Sequence, residues 1–124
     1  SASSAASDVY KRQVLEREIV SMYKFVACDS IKTVGTCFQG TVKTTFDKIV
    51  EVFGVPTFTD ASPYEKVNAE WTVKAKDKDN TVFTIYNWKD GFIPTDEYEW
   101  HIGGFDFNAY CVATDILDNA KEIV

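Results

Sequence analysis

The chain has 124 residues, 45% hydrophobic and 15% aromatic, enough material for one packed core, and its 26% charged share is ordinary for a folded chain. A net charge of −6 and a pI near 4.7 argue against a DNA- or membrane-surface-binding protein, because either needs a basic face. No apolar run approaches the roughly 18 residues of a membrane span, and the start does not read as a secretory leader.

Ser3 to Gln13 (SSAASDVYKRQ) resembles the translation of a transposon-end sequencing adapter. That resemblance implies a gene assembled from environmental DNA. Residues 1–13 are therefore set aside as non-native, and 14–124 is read as a single α+β domain. From Val14 to Cys28, β-branched and aromatic residues favour a strand over about Ile19–Cys28, with a helix from Leu15 as the alternative. Thr33 to Lys43 (TVGTCFQGTVK) reads as a strand bent at glycine; Gly40 marks either a bulge or a close approach of ligand to backbone.

A helix follows over about 45–53. Thr44 is the expected N-cap with Asp47 three residues on, and Phe46, Ile49, Val50 and Phe53 form its apolar stripe. Gly54 and Pro56 stop it, and Val55 to Glu65 is a loop. Lys66 to Lys76 alternates with period two. Val67, Ala69, Trp71, Val73 and Ala75 lie on one side; Lys66, Asn68, Glu70, Thr72, Lys74 and Lys76 lie on the other. A polar turn at Asp77–Asn80 leads to a partner strand over Thr81–Trp88, with Phe83 and Ile85 on one face and Val82, Thr84, Tyr86 and Trp88 on the other. Lys74, Lys76 and Lys78 alternate with Asp77 and Asp79, as in a solvated hairpin tip.

Glu97 to Ile102 alternates again, with Tyr98, Trp100 and Ile102 against Glu99 and His101. After Gly103-Gly104 a last helix is expected over about 107–121, with Ala109, Val112, Ala113, Ile116 and Ala120 inward. The fold class is α+β: an antiparallel sheet of about five strands with two main helices.

The stretch Thr81–Gly104 concentrates the candidate chemistry. The Gly103-Gly104 step into a helix start suits a phosphate, although Asp106 competes for the same amides and a plain tight turn explains it equally. Tyr86, Trp88 and Trp100 offer stacking faces for a base, with a place in the core or an interface as the plainer alternative for each. Lys89 offers a charge for phosphate, and Gln39 and Asn87 offer polar readers of a base edge. His101 is the only histidine; its neighbours Glu99 and Trp100 do not complete a catalytic set, so it reads as a hydrogen-bond donor to a ligand or a cap on the sheet. Cys28, Cys37 and Cys111 are odd in number and without Cys-x-x-Cys spacing. This argues against a disulfide framework or zinc site and for a reducing, cytosolic setting. No metal or other cofactor is expected.

The ordered series TVGTCFQGTV, FDKIVEVFGVP, KVNAEW, FTIYNWKDG and EWHIGG, over about Thr33–Asn119, resembles small phage and environmental-virus proteins of the anti-Thoeris type, which sequester cyclic ADP-ribose signals. The resemblance implies a non-enzymatic homo-oligomer with sites at or near subunit contacts. It would act in the host cytoplasm and withhold a cyclic ADP-ribose isomer or cyclic oligonucleotide from its effector. Within the matching region, ligand-binding chemistry falls on Phe38, Gln39, Tyr86, Asn87, Trp88, Lys89, Trp100, His101, Gly103, Gly104 and Asn108. Two other classes stay open: a phage inhibitor that contacts a host enzyme through its acidic surface, and a nucleotide-processing enzyme centred on His101.

Overall fold

The alternation around Trp71 becomes the centre of the sheet. A computed structural model of the chain describes residues 25–28, 33–76 and 79–121. In chain order the elements are β1 (Phe25–Ala27), β2 (Cys37–Thr44), α1 (Phe46–Phe53), β3 (Phe58–Thr59), β4 (Ala69–Ala75), β5 (Val82–Tyr86), β6 (Tyr98–Gly104) and α2 (Phe107–Lys121). The sheet is antiparallel throughout, in the order β1-β4-β5-β6-β2, and β3 shares the outer edge of β4 with β1. The expected α+β class holds. The sixth strand is the two-residue β3, inside the segment expected as loop.

One face of this sheet carries the core. Ala69, Trp71, Val73 and Ala75 of β4, Phe83 and Ile85 of β5, and Trp100 and Ile102 of β6 are all buried. Ile49 and Val52 of α1 and Ala109, Val112, Ala113, Ile116 and Leu117 of α2 join them in one cluster. Both described helices therefore cover the same face, as period-two strands and 3.6-period helices require when they bury one side each. Trp71 and Trp100 meet edge to face at 5.4 Å, and Trp100 meets Tyr98 at 5.2 Å. Each such pair adds about 0.5–1.5 kcal/mol beyond burial. Close approach of α2 depends on two residues without side chains: a Cβ on Gly40 would lie 2.6 Å from the Tyr110 ring, and one on Gly104 2.1 Å from the Ala109 Cβ.

Several boundaries move from their expected places. The cap of α1 is Thr45, whose hydroxyl accepts from Lys48 N–H at 3.1 Å; Thr44 is instead the last residue of β2, paired with Tyr98. Gly54 ends α1 at φ 89°, its N–H donating to the Val50 carbonyl at 2.8 Å, and its own carbonyl accepts from the Trp71 indole at 2.9 Å. The bend expected in β2 appears as a register shift between Phe38 and Gly40. Of the strand expected over Ile19–Cys28, Phe25–Ala27 pairs with β4; Ile19–Lys24 and the adapter-like segment lie outside the described residues. Leu117 adds to the inner stripe of α2, and the side chain of Ala120 lies outside the description.

Gly103-Gly104 is not a hinge between strand and helix. Both residues are inside β6, with ladders on both sides: Gly103 opposes Phe38 and Thr84, and Gly104 opposes Cys37 and Phe83. Two flanking strands supply hydrogen-bond partners for their peptide groups, and this holds glycine in an extended conformation it does not favour by itself.

Candidate functional site

The second face of the sheet is where the sequence-predicted residues converge. Register places Glu70, Tyr86, His101 and Thr41 in one row across β4, β5, β6 and β2, and Thr72, Thr84, Gly103 and Phe38 in the next. All are out of phase with Trp71, Ile85, Trp100 and Ile102, so their side chains project away from the helices. Trp88, two residues beyond Tyr86, extends the same face past the end of β5.

Four rings form a hollow here. His101 stacks on Tyr86 at 5.5 Å and 27°, Phe38 tilts over His101 at 5.4 Å, and Trp88 stands edge-on to Tyr86 at 6.2 Å. Phe38, Tyr86, Trp88 and His101 line a cavity of about 410 Å³, within the range of small-ligand clefts. Phe38 and Trp88 remain 55% and 41% exposed, so large apolar rings face solvent around an open space. Gly103 lies on the same face beside these rings: a Cβ there would lie 2.6 Å from Thr84 Oγ1 and 3.4 Å from Tyr86 Cε1. The His101 Nδ1 atom is buried and has no hydrogen-bond partner among the described residues.

Charge is unevenly placed around the rings. The ammonium groups of Lys66 and Lys89 sit 5.9 and 5.8 Å from the Trp88 ring centroid, in cation–π range. Glu70 lies at the other end, opposite Tyr86. Its burial pushes its carboxyl above the usual carboxylate range, since the charged form loses water. The Tyr86 phenol is pushed up by burial first, and then by the negative charge of Glu70 and by Cys37.

A polar network holds Trp88 and Lys89 in place. Asn87 is fully buried; its Oδ1 accepts from the Asn68 and Ala69 amides at 2.8 and 2.9 Å. Its Nδ2 donates to Asn68 Oδ1, Asp90 Oδ2 and the Phe92 carbonyl at 3.1 to 3.2 Å. Tyr98 donates its hydroxyl to Asp90 Oδ2 at 2.6 Å and accepts from the Trp88 amide at 3.3 Å. Lys89 takes a positive φ of 60° and donates its N–H to the Lys66 carbonyl at 2.7 Å, which brings the two lysines side by side.

The Tyr98 phenol is consequently pushed up to about 12, by burial first and then by its bond to Asp90. The stability that follows from this shift is fully present below the ordinary value of 10.0 and is lost as pH rises through about 12. In an absorbance titration at alkaline pH, the last tyrosine transition of the native protein should disappear in Tyr98→Phe. If the variant keeps that transition, the assignment is wrong.

Of the residues expected to bind ligand, Phe38, Tyr86, Trp88 and His101 come together, with Lys89 at the rim and Gly103 between them. The others do not join. Trp100 is fully buried on the opposite face, in phase with Ile102 rather than His101, and its indole N–H has no partner among the described residues. Asn87 spends both halves of its amide on the loop, so it is a fastener rather than a base reader. Gln39 donates to the Gly104 carbonyl at 3.1 Å and to Cys37 Sγ at 3.3 Å. Gly104 lies under α2. Asn108 donates its side chain to Thr81 Oγ1 at 3.0 Å, and its N–H goes to Asp106 Oδ1 at 3.1 Å, so the helix start is capped by its own aspartate. Lys66 and Glu70 were missed as site residues; the signal was their place in the outer set of the Lys66–Lys76 alternation.

Among the described residues no cluster of His, Cys, Asp and Glu has the makings of a metal site, and no helix is long and apolar enough to cross a membrane. Comparison with known proteins finds no matching family model, no matching curated protein and no matching solved structure.

Proposed function

We propose that this protein is a phage anti-defence sponge. It binds a nucleotide-derived signal, a cyclic ADP-ribose isomer or a cyclic oligonucleotide, and holds it without cleaving it in the host cytoplasm. The observation that carries this reading is the solvent-open ring of Phe38, Tyr86, Trp88 and His101 around a cavity of about 410 Å³. A base can stack on the ring faces left open to the cavity, and stacking contributes about 1–3 kcal/mol per base. Lys66 and Lys89 give phosphate a locally positive rim on a chain of net charge −6, which offsets the repulsion an acidic protein exerts on an anion. His101 packs between Tyr86 and Phe38, an arrangement suited to holding a flat ligand.

Titration calorimetry with cyclic ADP-ribose isomers and cyclic dinucleotides tests the reading. Binding is expected with Kd below about 1 μM, and heat denaturation should return the ligand unaltered. Tyr86→Ala and Trp88→Ala should each weaken binding by about 10- to 100-fold. No binding across the panel, or return of a cleaved product, sinks the sponge. Light scattering with and without ligand tests the homo-oligomer that goes with it.

A second reading has its own observation. Val34, Phe105 and Phe107 are 75%, 56% and 60% exposed, and Gly35 approaches the Phe105 ring at the end of the sheet remote from Trp88. Apolar side chains grouped on an acidic surface suit a contact with a host enzyme. A stoichiometric partner retained from host lysate, and lost on Phe105→Ser with Phe107→Ser, would favour inhibition by contact over sequestration.

A further inference from the structure

We propose that the hollow selects a ring carrying positive charge, a protonated or N-alkylated heteroaromatic base, and that Glu70 supplies its counter-charge. The inference rests on the nucleotide reading above and names the class of base the site takes.

Two independent features of the face point the same way. The first is the rings. Aromatic faces are negative at their centres, and a box of several of them favours a cation over a neutral guest of the same shape. Phe38, His101, Tyr86 and Trp88 present such faces and edges in a chain, each ring 5.4 to 6.2 Å from the next. The second is Glu70. It opposes Tyr86 in register, and Tyr86 opposes His101, so the carboxylate stands beside Tyr86 in the row that carries the hollow, with Phe58 of β3 on its other side. Among the described residues it makes no hydrogen bond and no ion pair, although it is partly buried. A carboxylate withdrawn from water is ordinarily paired. This one has no counter-charge among the described residues, and its charge reaches the phenol of Tyr86, a ring that lines the cavity.

The remaining charges on this face extend the picture. Lys43 of β2 and Glu99 of β6 oppose each other in the row beyond Tyr86 and His101. Lys66 and Lys89 cluster on Trp88, so phosphate and ring are served at different ends. The site thus matches a guest with positive and negative ends, a cationic base joined to phosphate. Glu70 also differs from a structural carboxylate in its energetics. Burial raises its folded-state pKa, so its contribution to stability is present below the ordinary value of 4.5 and is lost as pH rises through the folded value. A carboxylate on the ring-bearing face whose charged form is disfavoured by burial is what a site held ready for a cation looks like.

The test uses the full chain and four probes: 7-methylguanosine monophosphate against guanosine monophosphate, and 1-methyladenosine monophosphate against adenosine monophosphate. The methylated, positively charged ring is expected to bind at least about tenfold tighter in each pair. Glu70→Gln should erase that preference and leave the affinity for the neutral members within about twofold. The same variant should melt a few degrees higher than the parent at neutral pH, with the difference vanishing in acid. Equal affinity for charged and neutral rings in the parent overturns the inference and leaves the nucleotide reading standing. A preference that survives Glu70→Gln overturns the role given to Glu70. If none of the four probes and none of the cyclic nucleotides binds, both readings fall together.

Discussion

Asn87→Ala is expected to destabilise the folded protein by about 3 kcal/mol or more, on the order of 15 °C in Tm for a domain of this size. The residue is fully buried and sits where β5 leaves the sheet. Removing its amide strands the Asn68 and Ala69 N–H groups, Asn68 Oδ1 and the Phe92 carbonyl at once, and leaves Asp90 Oδ2 with the Tyr98 hydroxyl alone. Each buried polar group left without a partner costs about 1–3 kcal/mol, though several here regain water once the loop opens. Asn87→Asp should be no milder, because it keeps the acceptor, loses the donor and sets a second carboxylate beside Asp90. Denaturant unfolding measures both, and a loss below about 1 kcal/mol in Asn87→Ala would show that the network does not hold the loop. Trp88 fluorescence gives a second readout, since the indole is positioned by the residues on either side of Asn87.

Much of this arrangement was already implied by alternation, and one part of it was overlooked. Period two put Trp100 with Tyr98 and Ile102, and His101 with Glu99. Two consecutive strand residues face opposite sides, so Trp100 and His101 cannot line one hollow; the same parity separates Gly103 from Gly104 and Tyr86 from Asn87. Lys66–Lys76 likewise displayed Lys66 and Glu70 as outward, on the face Tyr86 and Trp88 share. What alternation leaves open is register. Nothing local to Glu70, Tyr86 or His101 says that they align across three strands; the two connections and the packing under both helices decide that. The bulge at β2 is similarly non-local, because it lets Phe38 oppose Gly103 while Gly40 opposes Ile102. The capping error at Thr44 has a simpler source: adjacent threonines offer the same hydroxyl, and pairing with Tyr98 claims the first for the strand.

The Gly103-Gly104 pair yields the sharpest contrast, since the same added methyl group should have opposite consequences at adjacent positions. Gly104→Ala places a Cβ 2.1 Å from the Ala109 Cβ on the helix-covered face, where neither atom can rotate away. Strand β6 is paired on both sides and α2 is seated on Tyr110 and Ala109, so the clash is relieved only by lifting the helix. A cost of about 3 kcal/mol is expected, at the upper end for an overpacked core, with loss of ligand binding following from loss of fold. Gly103→Ala points the other way, toward the face that carries the hollow. Its Cβ meets Thr84 Oγ1 at 2.6 Å, and turning the Thr84 side chain about χ1 relieves that contact for about 1 kcal/mol. The new methyl also lies 3.4 Å from Cε1 of Tyr86, one of the rings that line the hollow. Gly103→Ala should therefore melt within about 8 °C of the parent and yet bind cyclic ADP-ribose isomers at least about tenfold more weakly, a loss of about 1.4 kcal/mol. Melting curves and calorimetry on the two variants separate the roles. Equal destabilisation by both would place Gly103 in the core with Gly104, and undiminished binding by Gly103→Ala would remove the hollow from the ligand's path.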